Sequence, residues 1–217
     1  MIDLHSHTLH SDGVLVPAEM ARRAQTAGVD ILAFTDHVDG SNADILIPAI
    51  VRFCENHNDG NITVISGAEI THVPPHQIQD LVSKCRELGA KLITLHGETI
   101  VEPVLPGTNL AGIKAGVNII AHPGLIGIRE VKLAAKNGVL LEISGRKGHA
   151  FANGHVATMA RKYGAGLVFS TDAHAPGDLM GMDMATSVAR GAGMSNREID
   201  NMFKNAILLT NQIMMSD

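Results

Sequence analysis

What this chain of 217 residues lacks narrows the field first. It has no tryptophan, one tyrosine and five phenylalanines, so there is little aromatic surface on which nucleobases could stack. No window reaches roughly 18 uninterrupted apolar residues, which excludes a membrane-spanning helix. Residues 2–10, Ile-Asp-Leu-His-Ser-His-Thr-Leu-His, carry neither the basic start nor the apolar stretch of a secretory signal. The two cysteines, Cys54 and Cys85, fall inside helical patterns without metal-ligand spacing, so reduced thiols and a cytoplasmic location are expected. No long basic run occurs either. With 17 Lys and Arg against 22 Asp and Glu the net charge is −5, and broad attraction to a nucleic-acid backbone is not expected. A composition 45% hydrophobic and 18% charged favours neither disorder nor a fibre. The length suits one domain over residues 1–217, able to bury about two-thirds of its unfolded surface. What is abundant is histidine: 12 residues of a type that fills cores poorly and ligates metals readily.

Seven short apolar runs punctuate the chain: Ile2–Leu4, Ile31–Phe34, Ile62–Ile65, Leu92–Leu95, Val117–Ala121, Val139–Ile143 and Leu167–Phe169. Several are rich in β-branched residues, as parallel strands covered on both faces should be. Helical patterns separate them. One opens at Pro17 and stops at Gly28, and one runs through Pro48 to His57 before the turn-like Asn58-Asp59-Gly60-Asn61. Others cover Pro75 to Leu88, Gly107 to Ala115, Arg129 to Asn137, His155 to Tyr163 and Ser195 to Met215. Glycine just past most of these helices supplies the left-handed stop. The alternation predicts an α/β fold with a parallel sheet, and seven units in this length suit a small barrel. The methionines crowding the C-terminal quarter are expected as flexible core fillers.

The polar residues fall in register with the strand ends. The first run leads into His5-Ser6-His7 with Asp12 close behind, the second into Thr35-Asp36-His37, and the third into Gly67-Ala68-Glu69. The fourth ends in His96, the fifth in His122-Pro123-Gly124, and the seventh in Ser170-Thr171-Asp172-Ala173-His174. Six of seven runs thus end in His, Asp or Glu, and in a parallel barrel those ends share one face. Imidazoles and carboxylates without thiolates are the donors of a hard-to-borderline metal site. His5 and His7, two apart on a strand, project to the same side. The set His5, His7, Asp12, His37, Glu69, His96, His122, Asp172 and His174 exceeds what one tetrahedral ion needs.

The sixth run ends instead in Ser144-Gly145-Arg146-Lys147-Gly148-His149. Two cations at the same mouth suit an anionic substrate, and the planar guanidinium of Arg146 suits phosphate best; Lys147 and His149 are further substrate-binding candidates. Asp36 either orients His37 or acts as general acid. The polar, Pro-bounded loop from Gly97 to Pro106 is a place for substrate selection, and His72 is placed to face the pocket.

His5-Ser6-His7, Thr35-Asp36-His37, Gly67-Ala68-Glu69, His122-Pro123 and Asp172-Ala173-His174, in this order and across nearly the whole chain, resemble the PHP (polymerase and histidinol phosphatase) family. The resemblance implies a distorted TIM-like barrel of seven β/α units that holds two or three divalent ions, commonly Zn, Mn or Fe. It implies one ion on His5, His7, Glu69 and Asp172, a second on Glu69, His96 and His122, and a third on Asp12, His37 and His174. Glu69 would bridge the first two, so Glu69 and Asp172 count as catalytic. Some family members place His where this chain has Gly13; Asp12 is the substitute here, and His10 is a pocket residue that the pattern does not require. The activity implied is hydrolysis of a small phosphomonoester such as L-histidinol phosphate by metal-activated hydroxide. The alternatives are a phosphodiesterase acting on nucleotides or short oligonucleotides, a catalytically silent metal-binding module, and a C–N hydrolase on the same scaffold.

Overall fold

The computed structural model describes residues 1–57 and 60–215. Its strands are β1 (Ile2–Asp3), β2 (Ile31–Phe34), β3 (His37–Val38), β4 (Thr63–Ile70), β5 (Leu92–His96), β6 (Ile119–Ala121), β7 (Leu140–Ser144) and β8 (Leu167–Ser170). β3 resumes the second strand after Thr35-Asp36 and pairs with β4, so the eight segments make seven staves. Every pairing is parallel, in the order β1-β2-β4-β5-β6-β7-β8. The two edges meet where Ser6 bridges Ala173 and His7 N–H donates to Ala173 O at 2.8 Å. The result is a nearly closed TIM-like barrel, as expected from the alternating runs.

Eight α-helices surround it among the described residues: α1 (Pro17–Thr26), α2 (Ala43–Asn56), α3 (Ile78–Glu87), α4 (Thr108–Ala115), α5 (Ile128–Asn137), α6 (Asn153–Tyr163), α7 (Met182–Gly191) and α8 (Asn196–Met214). Left-handed Gly116, Gly138 and Gly164 end α4, α5 and α6, as their positions in the sequence imply. α2 begins at Ala43, upstream of the pattern read through Pro48. Burial of Leu46, Ile47 and Ile50 on one face holds a helix that proline alone would interrupt. α7 has no counterpart in the sequence reading. It buries only Ala185 and Ala189, too little apolar bulk to print a 3.6-residue period. Asn58 and Asp59 of the expected turn lie outside the described residues.

The barrel interior is filled by Leu4, Ala33, Ile65, Leu92, Ile119 and Val168, and Ala206, Leu209 and Ile213 of α8 close its amino end. A second, larger core lies between strands and helices. With the amino end sealed by apolar side chains, the carboxyl end is where polar groups can be placed. A mostly apolar cleft of about 370 Å³ beside Met1, Phe203 and Ile207 sits at the sealed end and contains no histidine. Of the C-terminal methionines Met194 and Met202 are buried, whereas Met182, Met184, Met214 and Met215 are exposed, so core filling describes only part of that group.

Candidate metal centre

The strand ends bring eleven residues around a cavity of about 240 Å³, including Asp12, His37, His96, His122, Arg146, His149, Asp172 and His174. His5, His7 and Glu69 lie at its floor, fully buried. His5 Nε2 is 3.0 Å from His7 Nε2 and 3.4 Å from Glu69 Oε2. His7 Nε2 is 3.2 Å from Asp172 Oδ1 and 3.5 Å from Glu69 Oε2. These four side chains therefore converge as the first expected set. Asp12 Oδ1 stands 3.1 Å from His174 Nε2, 3.5 Å from His37 Nε2 and 3.8 Å from His7 Nδ1, which brings the third set together and adds His7 to it.

In the second expected set the His96 and His122 rings pack edge to face, their centroids 4.5 Å apart. His122 Nε2 lies 3.6 Å from Glu69 Oε1 and groups with His5 and Glu69, while His96 groups with His72 and Glu102. His122 also stacks on His149, ring centroids 4.0 Å apart, and these two form a further group with Asp172.

Local backbone geometry makes these approaches possible. A Cβ at Gly13 would lie 2.3 Å from the His7 carbonyl oxygen, so the turn that carries Asp12 back to the site admits no side chain there. The three non-glycine residues with positive φ among the described residues are His72 (53°), His122 (27°) and Asp172 (53°), all lining the cavity. Strained conformations of this kind concentrate where a site imposes them.

Several side chains hold the imidazoles in place. Glu142, buried in β7, accepts from His5 Nδ1 at 2.8 Å through Oε2 and from His122 N–H at 3.2 Å through Oε1. This leaves His5 Nε2 facing the cluster, the arrangement of a carboxylate that orients a ligand imidazole. His37 Nδ1 donates to Thr71 Oγ1 at 2.6 Å, and Asp178 accepts from the His174 and Ala175 N–H groups at 3.1 and 2.9 Å. Neither Glu142 nor Glu102 was in the sequence-derived site. A lone acid inside an otherwise apolar strand was the available signal for Glu142.

Three expectations need correction. Asp36 does not face His37 or the cavity: its carboxylate accepts from Thr8 N–H (2.7 Å), Ser11 Oγ (2.6 Å) and Thr8 Oγ1 (2.9 Å), pinning the loop after β1. Successive residues of an extended segment point to opposite sides, so adjacency to His37 carried Asp36 away from the site. Lys147 is exposed and lines no part of the cavity. His10 is likewise exposed and lines no part of the cavity. Arg146, by contrast, lines the cavity, lies against His174, and donates to the Asp172 carbonyl at 3.2 Å. His149 is buried there as well, its Nδ1 2.8 Å from Thr99 Oγ1. His155 bonds the Ile126 carbonyl and belongs to the scaffold.

The electrostatics suit a cation. Burial, reinforced by neighbouring imidazoles, pushes His7 and His122 well below the usual range, and burial brings His149 down to about 4. Burial works against charge on His5 and His37 too, yet Glu69 beside them raises His5 well above the usual range and, with Asp12, raises His37 to about 10. Burial opposes ionisation of Glu69, yet His5 and His37 beside it hold its carboxyl well below the usual carboxylate range. Burial pushes Asp172 up to about 7, with His5 opposing and Glu69 and Glu142 adding to the shift. Both Glu69 oxygens are buried without a hydrogen-bond partner, although Oε2 lies 2.8 Å from His37 Nδ1, and the buried Nδ1 atoms of His7 and His122 are unpartnered too. Buried polar atoms rarely go unpaired, and this nitrogen-and-oxygen donor set fits divalent ions.

A parallel α/β barrel with imidazoles and carboxylates clustered at the carboxyl ends of its strands is the class that fold and site define. Residues 3–96 match the PHP domain family, a stretch that includes His5, His7, Asp12, His37, Glu69 and His96. The chain is 42% identical over 202 residues to an uncharacterised protein of Methanocaldococcus jannaschii, covering 92% of this chain and 93% of that protein. It is 25% identical to the DNA polymerase/3'-5' exonuclease PolX of Bacillus subtilis, across 92% of this chain but 38% of PolX. In fold it is similar to the histidinol phosphate phosphatase of Lactococcus lactis, solved with Zn, L-histidinol and phosphate, with a TM-score of 0.63, 16% identity, and coverage of 89% and 94% of the two chains. The chain belongs to the PHP domain family. No described helix is long and apolar enough to cross a membrane.

Proposed function

We propose that residues 1–217 act as one metal-dependent hydrolase domain that cleaves a small phosphomonoester, as a histidinol-phosphate phosphatase does. The observation that carries this reading is Arg146 at the mouth of a cavity floored by buried imidazoles and the unpartnered oxygens of Glu69. Bound divalent cations, two or three of Zn, Mn or Fe, would lower the pKa of water towards neutrality and screen the charge of a phosphoryl group. His5, His7, Glu69 and Asp172 would hold one, Glu69, His96 and His122 another, and Asp12, His37 and His174 a third. Glu142 fixes the His5 ring and Thr71 the His37 ring, so the donors are preset. Arg146 exchanges its contacts with His174 and the Asp172 carbonyl for two non-bridging phosphate oxygens, a bidentate pairing that its planar fork favours. His149 presents Nε2 to the same cavity, 3.9 Å from Asp172 Oδ2, and contacts the bound ester.

The likeness to PolX supports a second reading, phosphodiester cleavage on short oligonucleotides by the same chemistry. A cavity of about 240 Å³ and the scarcity of aromatic residues favour the smaller substrate. The deciding experiment measures phosphate release by Mn-, Zn- and Fe-loaded protein across a panel of phosphomonoesters that includes histidinol phosphate and mononucleotides, with Glu69→Gln as background. Metal-dependent release with one preferred ester, absent in Glu69→Gln, is expected. Silence on every monoester from protein shown to carry its ions would transfer the assignment to diesters.

A further inference from the structure

We infer that the alcohol part of the ester is apolar, an aliphatic or aromatic body without a second phosphate, and that it lies along a wall of Ile100, Val101, Leu105, Leu125 and Phe151 raised by three consecutive loops beside Arg146. The inference rests on the phosphomonoester reading and adds to it the class of alcohol.

The loops follow β5, β6 and β7 and are locked into one body. A Cβ at Gly124 would lie 1.8 Å from the Glu98 carbonyl oxygen, and one at Gly97 would lie 2.2 Å from the Ala121 carbonyl oxygen, so the first two loops touch backbone to backbone. Asn109 ties them again, accepting from the Glu98 N–H at 3.0 Å and donating to the Pro123 carbonyl at 2.9 Å. The first and third loops meet where Thr99 Oγ1 stands 2.8 Å from His149 Nδ1, and where Val101 packs over Gly148, at which a Cβ would lie 3.5 Å from Val101 Cγ2. His155 Nε2, 2.9 Å from the Ile126 carbonyl oxygen, joins the second loop to α6. A wall held in this way is set before a ligand arrives, so little ordering is left to oppose binding.

The polar side chains of these loops are turned inward or occupied. Glu102, Arg146 and His149 line the cavity, and Glu98 accepts from the Gly107 and Asn109 N–H groups at 3.1 and 2.9 Å. What the loops present to solvent is largely apolar: Phe151 is 76% and Leu125 66% exposed, and Ile100, Val101 and Leu105 are exposed with them. Large apolar side chains gathered in water at the edge of a polar cavity mark a binding surface. A cavity of about 240 Å³ that must hold the phosphoryl group and its ions leaves little room for the alcohol. The alcohol therefore extends past the mouth, where Val101 stands over the loop that carries Arg146. Residues 97–107 and 122–128 contain neither Lys nor Arg, so a second phosphate would find no cation on the first two loops and would meet the Glu102 carboxylate.

The test measures kcat/KM of the complete, Mn-loaded protein on linear alkyl phosphates from ethyl to hexyl, on phenyl phosphate, and on glycerol phosphate and a mononucleotide. In wild type kcat/KM should rise about three- to fourfold with each added methylene, and the two polar esters should trail hexyl and phenyl phosphate. Val101→Ser and Phe151→Ser, both at exposed positions, should flatten the rise, so that the hexyl-to-ethyl ratio falls at least roughly tenfold. Ile207→Ser, at the sealed end of the barrel, should keep the wild-type ratio. A flat alkyl series in wild type overturns the inference, as does a rise that survives in both wall variants or is lost equally in Ile207→Ser; hydrolysis of the polar esters would leave the phosphomonoester reading standing in each case. Absence of metal-dependent release from every ester, by protein shown to carry its ions, defeats that reading itself, a distinguishable result.

Discussion

Glu142 illustrates how much of the site depends on side chains that never reach the cavity. Its two oxygens hold the His5 ring at 2.8 Å and the His122 backbone at 3.2 Å, so one carboxylate sets the pose of residues from two strands. Glu142→Gln keeps the shape and removes the charge that raises the basicity of the His5 ring. Divalent-ion affinity should fall roughly tenfold to a hundredfold, read by competition with a chromophoric chelator; an unchanged affinity would show that His5 needs no ionised partner. Arg146→Ala should raise KM for a phosphomonoester by about tenfold or more, the weight of a charge-assisted hydrogen bond, with a smaller change in kcat. An unaltered KM removes Arg146 from phosphate binding. Sequence was a good guide to residues at strand ends, because a parallel barrel collects those ends by construction. It was a poor guide to sequence neighbours of those residues: Asp36 beside His37 and Lys147 beside Arg146 turn away, since backbone direction, not adjacency, decides which side chain enters.

At the scale of elements, apolar runs became strands and glycine stops became helix ends, while α7, with its alanine-only buried face, left no readable period. The loop after β5 was legible as polar and Pro-bounded, but the reach of Glu102 into the cavity depends on tertiary ties from Glu98 and Thr99 that no spacing encodes. α8 matters differently, because it seals the amino end of the barrel with Ala206, Leu209 and Ile213. Its start is fixed by a reciprocal cap: Ser195 Oγ accepts from the Glu198 N–H at 3.4 Å, and Glu198 Oε2 accepts from the Ser195 N–H at 2.8 Å. Ser195→Ala should cost about 1 kcal/mol, seen as a lower denaturant midpoint with an unchanged slope. Hydrogen bonds from the Arg161 guanidinium and then from Ser195 hold the Glu198 carboxyl down to about 2. A carboxyl depressed in the folded state stabilises above its unfolded value of 4.5 and loses that contribution as pH falls towards 2. Glu198→Gln should therefore lower Tm at pH 7, and its difference from wild type should shrink steadily below pH 5; a gap that stays constant with pH would assign the effect to packing.

For the molecule as a whole, the seam of the barrel and the metal centre are the same place. β1 and β8 meet through the Ser6–Ala173 bridge, and Asp3 reinforces the meeting by accepting from the Thr171 N–H and hydroxyl. His5 and His7 follow one edge strand, and Asp172 and His174 follow the other. A cation held by His5, His7 and Asp172 thus joins the first and last strands, whose ladder is otherwise short. It also offsets the burial that pushes Asp172 up to about 7. Binding to the folded chain alone stabilises it by RT ln(1 + [L]/Kd), about 2.7 kcal/mol at a hundredfold excess over Kd. For a domain of this size that corresponds to roughly 5–10 °C in Tm. Stripping the protein with a chelator should lower Tm by that amount, restore it on adding Mn or Zn back, and release amide protection first at residues 3–7 and 170–174. A Tm indifferent to chelation, or protection lost evenly around the barrel, would show that the seam closes without cations and that the ligands are held by the fold alone.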